Sequence, residues 1–136
     1  MTSELRVDNL KGSTTGGSIN VLGEGTSATT NLQQGLAKGW VNLNGTGTPA
    51  INDSFNISGL TDDATGSFTV SFTNDMSNSS YSAAHAGGQR TVTWGVYLGG
   101  SGGANATGSH SFHNVSPADS SVDSAFNCLQ FCGDLA

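Results

Sequence analysis

Positive charge is nearly absent from this chain: four Lys and Arg stand among 136 residues, against ten Asp and Glu, for a formal net charge of −6. A protein that binds nucleic acid neutralises phosphates with a basic stripe or patch, and no such run exists here. Charge of either sign is sparse, at 10% of residues, where an average globular domain carries about 25%. No apolar run approaches the ~18–20 residues of a membrane-spanning helix. The first residues lack the apolar segment of a secretory signal, so synthesis and folding in a cytoplasm are expected. Cysteine is limited to Cys128 and Cys132. On a strand these positions share a face but lie about 13 Å apart, beyond the roughly 7 Å between Cα atoms that a disulfide spans. Two small buried thiols are the simpler expectation, with pairing only across a turn or between subunits. With no second Cys pair, a zinc site lacks ligands.

Large aliphatic residues are scarce too. Leu, Ile, Val and Phe make up about one-fifth of the chain, a value at the edge of disorder, while Ser, Thr, Asn and Gly make up close to half. The apolar residues are nonetheless clustered and periodic. Two arrangements fit: a thin β-domain with a small core, or subunits that complete one another's burial.

The first forty residues differ from the rest. They hold Arg6, Lys11 and Lys38 and the one convincing helix signal. Glu4–Asp8 alternates with Leu5 and Val7 on one face, and Ser18–Leu22 reads as its partner strand, with Ile19 and Val21. Thr29–Asn31 then offers capping oxygens. Leu32, Leu36 and Trp40 follow at i, i+4 and i+8, one stripe of a short helix. So short a helix does not stand alone in water. It packs either on its own domain or on copies of itself about an axis.

From Val41 onward the period is two. Strands are expected at Val41–Leu43, Ser54–Ile57, Ser67–Thr73, Tyr81–His85, Arg90–Leu98, Ser109–Val115 and Val122–Cys132, with loops at 44–49 and 61–66. Many short strands separated by turn signals describe a β-sandwich or barrel. The expected fold is all-β: a small sandwich knob over residues 40–136, preceded by a hairpin and short helix over 1–39.

Catalytic and metal motifs are weak. His110 and His113 fall on opposite sides of a strand. Asp62-Asp63 lacks a calcium-loop pattern, and Gly99–Gly103 lacks the Lys of a phosphate loop. No nucleophile elbow occurs. The expectation is a protein with no catalytic residues, no metal and no cofactor. A surface of Ser, Thr and Asn with occasional Tyr suits a polar ligand such as carbohydrate, and equally suits strands that simply face water. Tyr81 and Tyr97 are the aromatic candidates for receptor contact.

Ser3–Leu10, Ile19–Gly25 and Asn31–Lys38 together resemble the N-terminal region of tail-fibre-like virion proteins of marine tailed phages, cyanophages among them. Gly39–Thr48, Ile51–Ser58 and Thr61–Phe72 are similar to the knob that follows it there. Gly39 stands where such relatives tend to carry a larger residue, which would loosen the neck. The resemblance implies a bacteriophage structural protein located in the virion. Its N-terminal segment, with Leu5, Val7, Ile19 and Val21, would dock to other tail or capsid proteins. Leu32, Leu36 and Trp40 would join a homotrimer, and the β-knob would attach to a host-surface glycan. A capsid decoration protein or head fibre is the alternative. A polysaccharide-degrading enzyme would need a pair of convergent carboxylates, which nothing nominates, and a secreted carbohydrate-binding module would need a signal peptide.

Overall fold

The structure is a computed structural model that describes residues 4–22, 28–89, 92–93, 95–98, 105–116, 118 and 120–136, with the backbone alone for 88–89, 92–93 and 95–98. The chain divides into two compact units, Met1–Leu36 and Ala37–Ala136. The division falls three residues before the expected one. The amide of Lys38 already donates to the carbonyl of Phe131 at 2.8 Å, and the first strand of the second unit opens at Gly39.

In the first unit, strand β1 (Asn20–Leu22) pairs antiparallel with β2 (Thr29–Asn31). The partner is therefore not Glu4–Asp8, which forms no strand. Asn31 explains the choice. Its side-chain amide donates to the carbonyl of Gly17 at 2.7 Å, and the amide of Leu32 donates to the carbonyl of Ile19 at 2.8 Å, holding β2 beside residues 17–22. The same side chain caps helix α1 (Leu32–Gly35), its Oδ1 accepting from the amides of Gln33 and Gln34. That helix is a single turn. Gly35 lies within it and Leu36 is extended, with φ −95° and ψ 136°. The expected stripe is thus not formed, and Trp40 belongs to a strand. A single turn fixes several dihedrals for very few hydrogen bonds, and a glycine at its end removes the reason to continue.

The second unit holds β3 (Gly39–Asn44), β4 (Ala50–Phe55), β5 (Ile57–Ala64), β6 (Ser67–Phe72), β7 (Ser82–Gln89), β8 (Val92–Thr93), β9 (Gly95–Leu98), β10 (Ser109–Val115) and β11 (Asn127–Cys132). Every pairing is antiparallel. One sheet has four strands in the order β5-β6-β10-β9, and the other has five in the order β4-β3-β11-β7-β8. The fold is all-β, as expected. Alternation gives each sheet one apolar face. Val41 and Leu43 of β3, Phe68, Val70 and Phe72 of β6, Phe112 of β10, and Leu129 and Phe131 of β11 form one buried cluster with Met76 and Tyr81. The rings of Phe72 and Phe131 meet edge-to-face across the sheets at 5.0 Å. All buried members of the cluster lie at residue 41 or later.

Ser67–Phe72 follows its expected alternation, with Phe68, Val70 and Phe72 buried. Other expectations are corrected. Ser54–Ile57 is not one strand. The chain leaves one sheet at Phe55 and enters the other at Ile57, so the two residues share no face. Residues 61–64, expected as loop, extend β5 up to a tight turn at Thr65-Gly66. Gly66 has φ +75°, and a Cβ there would lie 2.7 Å from the carbonyl oxygen of Asn114. Of the expected strand Arg90–Leu98, the described residues are divided between sheets, β8 pairing with β7 and β9 with β10, while Arg90, Thr91 and Trp94 lie outside the described residues. Gly39 is buried, and a Cβ there would lie 3.3 Å from the carbonyl oxygen of Phe55, so a larger residue would have to shift its neighbours.

The corner between the sheets depends on Asn56. It has φ 60° without being glycine, a conformation that short polar side chains tolerate through local hydrogen bonds. Its Oδ1 accepts from the amide and side chain of Asn74, and its Nδ2 donates to the carbonyls of Lys38 and Asn74. Asn56→Ala should therefore destabilise the protein by about 2–4 kcal/mol, through lost hydrogen bonds and left-handed strain. Asn56→Gly should recover part of that loss, and urea unfolding of both variants measures the difference.

Candidate functional site

Because strand side chains alternate, each sheet presents an outer face that the core does not use, and the two outer faces differ chemically. That of the four-stranded sheet is hydroxylic. Thr69 donates to Asp63 Oδ2 at 2.6 Å and lies 2.7 Å from Ser111 Oγ. Ser67 Oγ lies 2.6 Å from His113 Nδ1, and Ser121 Oγ lies 3.0 Å from His113 Nε2. Both ring nitrogens of His113 thus meet hydroxyls. A serine nucleophile would instead have its histidine oriented by a carboxylate, so this chain of contacts suits a surface hydrogen-bond network. The Cα register partner of His113 on β9 is Tyr97, which puts this receptor candidate in the row that runs through Ser67.

Tyr81 does not belong to that surface. It is buried beneath the sheets, its hydroxyl donates to the carbonyl of Ser109 at 2.8 Å, and its ring packs against Phe72 and Phe131. Burial pushes its phenol up to about 12. It is a core residue, and the expectation of receptor contact at Tyr81 is corrected.

The outer face of the five-stranded sheet is different. Phe55, Trp40, Gln130 and Ala84 are register partners in one row across β4, β3, β11 and β7. Asp53, Asn42, Cys128 and Ala86 form the next. A shallow trough of about 430 Å³ runs over this face. Both thiols are free and half-buried here rather than deep in the core. Asn42 Nδ2 approaches Cys128 Sγ at 3.5 Å, and its Oδ1 accepts from Asn52 Nδ2 at 2.8 Å.

The first unit has no buried residue among those described. Leu5, Val7 and Val21 of the expected docking set are exposed, as are Leu10, Leu22 and Leu36. Ile19 and Leu32 are half-buried.

Sequence reading missed the histidines inside the sandwich. His85 of β7 and His110 of β10 come from opposite sheets and meet at 2.9 Å between their Nε2 atoms. Asn105 Nδ2 donates to the carbonyl of Tyr81, which turns its Oδ1 toward His110 Nδ1 at 2.8 Å. His110 therefore carries its proton on Nδ1 and accepts at Nε2 from His85. Nothing in the residues around His85 announces a partner 25 positions away. His110 and His113 do point to opposite sides of β10, one buried and one outward. Among the described residues, no group of three or more His, Cys, Asp or Glu side chains is arranged to hold a metal ion.

No family model, curated protein or solved structure matches this chain.

Burial lowers His85 to about 4, and burial together with the neighbouring His85 lowers His110 to about 4. The unfolded chain titrates these groups near 6.5, so between roughly pH 6.5 and 4 it binds more protons than the folded one. Stability is then complete above about pH 6.5 and falls with acidification, by up to about 1.4 kcal/mol per pH unit for each histidine. Urea midpoints should be flat from pH 7 to 8 and drop from pH 6.5 to 4.5. His85→Gln, which keeps a donor facing His110, should reduce that slope to about half.

Proposed function

We propose that the protein is a structural component of a bacteriophage virion: a short, tail-fibre-like, homotrimeric appendage that docks through its N-terminal unit and presents its β-sandwich to a host-surface glycan. One observation carries this reading. The N-terminal unit exposes six large apolar side chains and has no buried residue among those described, while the buried core of the sandwich is drawn wholly from later residues. Each Å² of apolar surface taken out of water contributes about 25 cal/mol, so Leu5, Val7, Leu10, Val21 and Leu22 gain their stabilisation on a partner. A segment built this way suits attachment, and a sandwich with its own core suits display.

The hydroxyl network over Thr69, Ser111, Ser67 and His113 offers donors and acceptors to a polyhydroxylated ligand, with Tyr97 in the same row. A single contact of this kind binds weakly. Three linked copies, repeated around a particle, gain avidity without any new contact. The reading assigns no catalytic step and no cofactor.

Removal of residues 1–36 should leave a cooperatively unfolding sandwich that no longer enters phage particles, as measured by mass spectrometry of purified virions. Continued incorporation would move docking onto the sandwich and favour a capsid decoration protein or head fibre. Tyr97→Ala in the full chain should weaken binding to host cells by up to about tenfold while incorporation stays unchanged.

A further inference from the structure

The two outer faces of the sandwich are both available to solvent within one copy of the chain, yet only one is built for water. Ser67, Thr69, Ser71, Ser109 and Ser111 give the four-stranded sheet a hydroxyl at each outward position of β6 and at two of β10. The facing strands of the other sheet, β3, β11 and β7, contain no Asp, Glu, Lys or Arg at all. Their outward positions include Trp40, Ala84, Ala86, Cys128 and Gln130, and Phe55, about half exposed, extends the row onto β4. Alanine is disfavoured on strands unless something packs over it. Aromatic enrichment with charge depleted marks the centre of protein interfaces.

Resting on the reading that copies associate, we infer that the outer face of the five-stranded sheet is the surface on which a second copy of this chain packs, with Trp40 and Phe55 as anchors and Ala84, Ala86 and Cys128 as the floor that receives them. Given association, charge selects this face for it. Each copy carries a net charge of −6, so two copies repel except where their acidic groups are absent. The only acidic residue in the paired rows of this face is Asp53, at its edge on β4. A neutral saccharide is less well served, because the Asn42 amide is already engaged with Asn52 and Cys128. Strands about 20 Å long and about 4.8 Å apart give the face a projected area on the order of 400 Å². Side chains standing on it bring the contact toward the roughly 800 Å² per partner of a stable interface. Trp40 thus joins subunits from a strand, where a helical stripe with Leu32 and Leu36 was expected.

The test uses the full chain, with light scattering after size exclusion and maleimide labelling of Cys128 and Cys132 read by mass spectrometry. The expected wild-type mass is about three times 13.7 kDa, with thiol labelling that slows as protein concentration rises. Ala86→Glu should give a monomer with an unchanged circular dichroism spectrum and labelling at least tenfold faster. Thr61→Glu, on the opposite sheet, should remain oligomeric. An Ala86→Glu variant that stays oligomeric, with thiol labelling as slow as in the wild type, would overturn the face assignment and leave association intact. A wild-type monomer at all concentrations would overturn both, including the case in which that monomer binds a neutral saccharide through Trp40. Should Ala86→Glu fail to fold, the concentration dependence of wild-type labelling decides: protection supports the face, and its absence overturns it.

Discussion

The sandwich depends on one inter-sheet contact, the ring of Phe131. It lies on the central strand of the five-stranded sheet, edge-on to Phe72 of the other sheet at 5.0 Å, and within 5.1 Å of His110 and 6.1 Å of Tyr81. With so little aliphatic material, five of the ten buried members of the core are aromatic, Phe68, Phe72, Tyr81, Phe112 and Phe131, and such rings bury large areas. Beside the aliphatic residues Val41, Leu43, Val70, Met76 and Leu129, the interior also holds hydrogen-bonded polar groups. His85, His110, Asn105 and the carbonyl of Tyr81 form one chain of hydrogen bonds. Asn114, Asn127 and the carbonyl of Ser124 form another. A buried polar group costs little once it is bonded and much when it is not. These two chains therefore fix the register of the sheets as firmly as the rings do.

That economy shapes what the surface can do. With few large apolar residues to spend, those placed outside the core stand out. Most fall in two places, the N-terminal unit and the outer face around Trp40 and Phe55, with Phe126 and Leu135 exposed beside β11. The N-terminal unit presents aliphatic side chains on a backbone held by Asn31. The sheet face presents aromatic anchors beside alanines and thiols. In the function proposed here the two serve separate work, the first attachment to a particle and the second assembly of copies. The hydroxyl face over Thr69 and Ser111 is left for a polar ligand.

Much of the fold was legible in the residues. Ser67–Phe72 shows the period of two without interruption and lies where that period puts it, and Ser109–Val115 is a strand as expected, alternating up to Asn114. Asn31 was legible as a cap, because its side chain competes for free amides at a helix start. What failed was anything decided across distance. Ser54–Ile57 looks continuous, but Asn56 turns the chain from one sheet to the other, held by Asn74 and the carbonyl of Lys38 eighteen residues to either side. Leu32, Leu36 and Trp40 have helical spacing, yet a two-turn helix through Gly35 and Gly39 gains less than the strand pairing of Trp40 with Gln130. Tyr81 looked like a surface aromatic in a polar stretch, and the carbonyl of Ser109 and the ring of Phe131 draw it inside.

By itself, then, the sequence determined the class of the fold, because alternation is a local property carried by neighbouring residues. Only the tertiary structure decided which strands pair, which face each sheet turns to solvent, and which polar residues are buried. Those outcomes rest on partners dozens of positions apart: His85 with His110, Thr69 with Ser111, Trp40 with Gln130. A histidine acquires its proton position, and a tryptophan its neighbours, from residues that the chain brings together only when the two sheets close.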